Sequence, residues 1–229
     1  MTQAKTELTT ARGVAVFPFL NKPSTKFDSD GVYECKLRFD ADDAFVDTFR
    51  AKAQAVIDAK YDEVTAELIK DGKKGVADKI TKANPPVTVE EDDATGEETG
   101  YVTIKAKKKA SGISKKTNKP WRQKPDIFDA RGVQIGGNDR KFDESKLPSI
   151  GGGSIMKMNV ELRGYYIAKD KEVGCSVYLN GVQIIKLVSY GSRDASGYGF
   201  GAEEDGDAID LAEDMEDNVD TAEDEEDDI

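Results

Sequence analysis

The chain has 229 residues, of which 33 are basic, 45 acidic and none histidine, for a net charge of −12. Without histidine the commonest general base and the commonest metal ligand are both missing. Two isolated cysteines, Cys35 and Cys175, are too few for a thiolate zinc site. No apolar run is long enough to cross a membrane, and the start, Met1-Thr2-Gln3-Ala4-Lys5, lacks the apolar stretch of a signal peptide. Both cysteines fall in strand-like runs. A buried disulfide and a pair of free thiols in a reducing cytosol both fit that placement, the thiols better.

Residues Arg12 to Leu20 (RGVAVFPFL) are apolar and β-prone, with Pro18 marking an edge or the end of the strand. Val32 to Phe39 alternate: Tyr33, Cys35, Leu37 and Phe39 share one face, and Val32, Glu34, Lys36 and Arg38 share the other, as in a half-buried strand. The period then changes. Phe45, Phe49, Ala53, Val56, Ile57, Val64, Leu68 and Ile69 predict an amphipathic helix from Asp42 to Lys70, about seven turns long. Asp40, Asp42 and Asp43 stand where they can cap or charge its start, and Asp71-Gly72-Lys73-Lys74-Gly75 ends it. A short second helix fits before Asn84-Pro85-Pro86, so the helical insertion covers about 41–82. The helix stripe reads as a face packed on the rest of the fold; a groove for a partner is the lesser alternative.

Glu90 to Glu98 is acidic and loop-like. A strand follows in which Val102, Ile104 and Ala106 form one face and Tyr101, Thr103, Lys105, Lys107 and Lys109 form the other. A polar loop over 111–119 turns at 116–119, and Pro120 to Phe128 is expected as the return strand. Met156, Met158, Val160 and Leu162 alternate with Lys157, Asn159, Glu161 and Arg163. A last apolar run spans Val173 to Tyr190, interrupted by a turn or bulge at Asn180-Gly181. Five or six strands and one inserted helix, with no βαβ rhythm, predict a mainly β fold: a small antiparallel barrel or a sandwich. Residues 1–190 form that domain, and 191–202 are a flexible linker. The arm 203–229 holds sixteen acids and no base, which predicts a disordered acidic tail and leaves 33 basic against 29 acidic residues over 1–202. A weakly basic body joined to an acidic arm is the pattern of a polyanion binder whose arm competes for its own groove.

Thr103 to Pro125 supplies that groove's chemistry. Nine basic residues lie in it with no acid: Lys105, Lys107, Lys108, Lys109, Lys115, Lys116, Lys119, Arg122 and Lys124. The only tryptophan, Trp121, is among them. Basic side chains contact phosphates and release counterions; aromatic rings stack on bases regardless of sequence, at about 1–3 kcal/mol per base. The alternative is a solvated hairpin whose lysines protect an edge strand, with Trp121 in the core. Ser149 to Ser154 (SIGGGS) is not a phosphate loop, because no Lys-Ser/Thr follows and the next segment alternates as a strand. It is expected as a tight backbone turn.

The stretch Pro148 to Gly191, PSIGGGSIMKMNVELRGYYIAKDKEVGCSVYLNGVQIIKLVSYG, followed by a glycine-containing linker and the acidic tail, resembles the single-stranded DNA-binding proteins of tailed bacteriophages. The resemblance implies an OB-fold body, here a five-stranded antiparallel barrel with the long helix inserted, acting as a binding protein and not an enzyme, with no cofactor. It implies single-stranded DNA as ligand in the cytoplasm of an infected bacterial host, and roles in replication, recombination and repair. It also implies that the tail shields the groove and contacts phage replication proteins such as the DNA polymerase and helicase–primase, with a homodimer formed through it. The chain ends in Ile229 where members of that family often end in an aromatic residue. Local chemistry names the expected DNA contacts: Tyr101, Lys105, Lys107, Lys109, Lys115, Lys116, Lys119, Trp121, Arg122, Lys124 and Tyr165. Glu225, Glu226, Asp227, Asp228 and Ile229 are the expected partner-binding end. Two other readings remain at this stage, an acidic-tailed interaction factor or assembly chaperone, and a carboxylate-based nuclease.

Overall fold

Strict alternation of apolar and polar side chains builds a barrel from this chain. The structure is a computed structural model that describes residues 6–138 and 147–189, all within the unit 1–191. The expected linker, acidic arm and terminal Glu225 to Ile229 lie outside the described residues. In chain order the elements are β1 (Thr6–Thr9), β2 (Gly13–Ala15), β3 (Phe19–Ser24), β4 (Val32–Asp40), α1 (Ala44–Lys70), α2 (Lys74–Ala77), β5 (Thr81–Lys82), β6 (Thr88–Glu91) and β7 (Glu98–Lys109). They continue with β8 (Ser111–Ile113), β9 (Pro120–Arg122), β10 (Asp126–Phe128), β11 (Gln134–Gly136), β12 (Ile155–Ile167) and β13 (Glu172–Lys186).

Five of these strands form a ring. β2 pairs with β4, β4 with β7, β7 with β13, β13 with β12, and β12 back to β2. Counted along the chain, the ring runs first, second, third, fifth, fourth, which is the OB-fold barrel. Four pairings are antiparallel. The closing one, β7 to β13, is parallel and registers Lys107 against Tyr178. The inward faces are those that alternation predicts: Cys35, Leu37, Val102, Ile104, Ala106, Met156, Met158 and Val160 are fully buried. The expected turn or bulge at Asn180-Gly181 is a bulge: β13 continues through it and its register against β12 shifts there. Gly181 fits because β10 docks alongside, and a Cβ on it would stand 2.7 Å from the carbonyl oxygen of Asp126.

Helix α1 follows its predicted stripe closely. Asp43 accepts a hydrogen bond from the Phe45 amide at 2.8 Å and caps the start. At the other end Gly72 adopts φ +73, the Gly72 amide donates to the Ile69 carbonyl and the Lys73 amide donates to that of Leu68. That pair of bonds is a Schellman motif. Val46, Phe49, Ala53, Ile57 and Val64 are buried in the barrel core, against β12 and β13. Ile69, expected on the stripe, is exposed. The helix is thus part of the barrel's core and not a free groove.

One segment departs from expectation. Pro120 to Phe128 is not one return strand: β9 pairs with β8 in a separate two-stranded sheet, whereas β10 runs parallel to β13. Pro125, which has no amide to donate, stands between them. The RGVAVFPFL run breaks where Pro18 was expected to mark a strand end: β2 and β3 are separated at Phe17-Pro18, where Phe17 takes φ +46. The glycine turn closes the barrel through backbone bonds and the Ser154 hydroxyl. The Gly153 amide donates to the Ala15 carbonyl, Gly151 to Val188, and the buried Ser154 hydroxyl to the Gly151 carbonyl. Both cysteines are free and buried; burial pushes the Cys35 thiol up to about 12, with Glu34 adding to the shift, and Cys175 up to about 11. Among the described residues, no helix is long and apolar enough to cross a membrane.

Candidate nucleic-acid interface

In OB-folds the outer face of the second and third barrel strands, with the loop between the first and second, is where oligonucleotides bind. Here those strands are β4 and β7, and their pairing dictates what shares that face. Glu34 lies opposite Lys107, Lys36 opposite Lys105, Arg38 opposite Thr103 and Asp40 opposite Tyr101. Because directly opposed residues point to one side of a sheet, five cationic chains, Lys36, Arg38, Lys105, Lys107 and Lys109, stand on one surface. The next strand, β13, adds Tyr178 beside Lys107. β12 then adds Arg163, opposite Ser176, and Tyr165, opposite Gly174.

Five of these six cations are held in place. Lys105 Nζ lies 3.2 Å from one Glu34 oxygen and Lys107 Nζ 3.6 Å from the other. Lys109 reaches Asp30 at 2.9 Å and Asp28 at 3.8 Å, and its bond to Asp30 holds the ammonium above its usual range. Arg38 pairs with Glu90 at 3.4 Å and lies 4.7 Å over the ring of Tyr101. Arg163 pairs with the buried Glu161 and lies 4.3 Å over the ring of Tyr178. These two stacked Arg–Tyr pairs flank Lys105 and Lys107, and a shallow groove of about 290 Å³ lies between them, lined by Pro86, Lys105, Lys107, Ser176, Val177 and Tyr178. Lys108 belongs elsewhere. It shares the inward face of β7 and pairs with buried Tyr33, and burial pushes its ammonium down, opposed by Asp126.

The remaining predicted residues lie on the β8–β9 hairpin, which extends from the end of β7. Its base is tied to the β3–β4 turn: the Ser111 hydroxyl donates to the Asp30 carbonyl and the Ala110 amide to that of Gly31. Lys115, Lys116, Lys119 and Arg122 are exposed and have no ion pair among the described residues. The Lys124 amide donates to the Asn138 side chain at 2.6 Å. Trp121 is half-buried outside the barrel core, with its indole over Gly112, where a Cβ would meet the ring at 2.8 Å. Tyr165 is at the opposite end of the face. It covers Gly174, and its hydroxyl donates to Glu172 at 3.4 Å. From Lys109 to Tyr101 the strand covers eight residue steps, about 26 Å, so hairpin and tyrosines mark the two ends of one face.

A family model described as the single-stranded DNA-binding protein of bacteriophage T7 matches residues 13–187 of this chain. The chain belongs to that family. Among solved structures, the crystal structure of gp2.5, a single-stranded DNA-binding protein encoded by bacteriophage T7, matches with TM-score 0.62 and 21% identity, over 90% of this chain and 100% of that one. At this identity the match establishes a common fold. The single-stranded DNA-binding protein from bacteriophage Enc34 gives TM-score 0.44 and 15% identity over 84% of this chain and 89% of that one. The same protein in complex with ssDNA gives 0.46 and 14% over 81% and 89%. No curated protein matches this chain.

For a T7-type single-stranded DNA-binding protein, sequence reasoning overlooked several residues on this face. Lys36 and Arg38 were legible in the alternation of β4, since they fall opposite Tyr33, Cys35, Leu37 and Phe39. Arg163 and Tyr178 carried the same signal in β12 and β13. Phe17 and Phe19, within the apolar β-prone run, are 71% and 44% exposed, and Phe27 is 92% exposed. All three lie on the connection between the first and second barrel strands, and Phe19 registers beside Glu34. Pro18 between two phenylalanines is the one local hint.

Proposed function

We propose that this protein binds single-stranded DNA without regard to sequence, along the outer face of β4 and β7, in phage DNA replication, recombination and repair. The observation that carries this reading is the continuous run of outward cations, from the hairpin to Arg38, bordered by Tyr101, Tyr178, Tyr165, Trp121 and the exposed phenylalanines. Phosphates follow Lys105, Lys107, Lys109, Lys115, Lys116, Lys119, Arg122 and Lys124, joined by Lys36 and Arg38. Bases stack on Trp121, Tyr101 and Tyr165. The work is binding and not catalysis, in the cytoplasm of the infected host.

The acidic arm competes for the same face and recruits replication proteins such as the polymerase and helicase–primase through Glu225 to Ile229, and two copies pair through it. Charge supports the competition: the arm carries sixteen acids and no base, and residues 1–202 carry 33 bases against 29 acids. The test is binding of fluorescent oligo-dT across a salt series, full-length protein against a 1–202 truncation. Truncation is expected to strengthen binding, most at low salt where charges are least screened. Equal affinities at every salt concentration would remove the competing arm from the account.

A further inference from the structure

Glu34 stands between two cations of the β4–β7 face and is held with one oxygen to each of two lysines. Lys105 approaches the first oxygen at 3.2 Å and Lys107 the second at 3.6 Å. Two oxygens of a single anion divided between two ammonium groups is how a phosphodiester would sit there. The register makes this more than a rotamer accident. Glu34 and Lys107 are directly opposed across the ladder, and Lys105 is the adjacent outward residue on the same strand. The carboxylate is 22% exposed, whereas the two lysines are 46% and 57% exposed, so the ammonium groups are open to solvent around it.

We infer that Lys105 and Lys107 form a single-phosphate subsite that Glu34 occupies until a strand arrives. The adjoining groove, floored by Val177 and bordered by Pro86, Ser176 and Tyr178, gives the nucleoside attached to that phosphate room beside the seam. The seam leaves that room because β7 and β13 register only through Lys107 and Tyr178. A resident carboxylate has two effects. It holds both lysines in place, so less side-chain freedom is lost on binding. It also opposes any anion that does not displace it, since like charges at this spacing repel. Binding at this subsite is therefore an exchange of one anion for another. The trio of Glu34, Lys105 and Lys107 offers one net positive charge to a strand, not two.

This inference depends on the strand-binding reading, and a double-mutant cycle keeps the two apart. Glu34→Gln, close to isosteric, is compared with wild type for oligo-dT affinity across a salt series. The same change is then made in a Lys105→Gln/Lys107→Gln background. Glu34→Gln is expected to bind about fivefold more tightly at low salt, as removal of one like charge at contact distance implies. Its log K against log salt should steepen by about 0.7, one further counterion released from a single strand. The gain should vanish in the double-lysine background. A Glu34→Gln protein that is folded by circular dichroism yet binds no better than wild type overturns the subsite. So does a gain that survives loss of both lysines, because that is a general charge effect. If wild type itself shows no single-strand binding, the strand-binding reading fails and the subsite with it.

Discussion

Phe49→Ala is expected to destabilise the protein by about 3–5 kcal/mol, the usual cost of emptying a fully buried aromatic site. Phe49 is 0% exposed in the middle of the α1 stripe, with the Phe45 ring centroid 6.1 Å away and that of Phe39 another 5.4 Å beyond. It belongs to the same core cluster as Val160 and Leu179 of the β12–β13 hairpin. Truncation leaves a cavity at the junction of helix and barrel that rigid strands cannot collapse to fill. For a chain of this size the melting temperature should fall by roughly 6–20 °C. Ile69→Ala on the same helix is the control: Ile69 is 54% exposed, so its loss should change stability by no more than about 0.5 kcal/mol. Thermal melts followed by circular dichroism decide the matter. Equal, small effects at both positions would mean that α1 does not pack as described.

Replacing Lys115, Lys116, Lys119 and Arg122 with glutamine is expected to cause the largest loss of DNA affinity of any four-residue change on the surface. These four charges have no ion pair among the described residues, so no described carboxylate neutralises them. Each phosphate neutralised on a single strand contributes about 0.7 to the salt slope. Four lost contacts should flatten the slope by about 2.8, so that between 50 and 200 mM salt the wild type loses about 50-fold more affinity than the variant. Lys105→Gln/Lys107→Gln should flatten it less per residue, because Glu34 already neutralises half of that pair. Isothermal or anisotropy titrations on oligo-dT at four salt concentrations read both slopes. An unchanged slope in the hairpin variant would place the strand elsewhere.

Much of this fold was legible because its strands are half buried. β4 and β7 each have one face in the core and one in water, and a period of two then appears in the sequence. The same alternation placed Lys105, Lys107 and Lys109 outside. Helix α1 was legible from its 3.6-residue stripe, Asp43 and Gly72. Less visible were features that depend on register between distant segments. Nothing local says that Glu34 meets Lys107, or that Glu34 half-neutralises Lys105 and Lys107 while the hairpin cations have no ion pair among the described residues. Parallel docking of β10 on β13 is hidden for the same reason: three residues carry no period, and Pro125 only breaks the run before them. β1, the tetrapeptide TELT, is too polar to declare itself, yet it pairs with β12 from Thr6 to Thr9. The exposure of Phe17 and Phe19 was not legible, because an apolar β-prone run does not say which side chains face water once Pro18 interrupts the strand.

The most direct test of the account is competition for full-length protein between fluorescent oligo-dT and unlabelled duplex of equal length at moderate salt, read by anisotropy. The cationic face with its exposed aromatics predicts that duplex displaces the oligo only at large excess, because paired bases cannot reach the rings. Displacement at equal strand concentration would contradict it, leaving a surface that binds polyanions by charge alone.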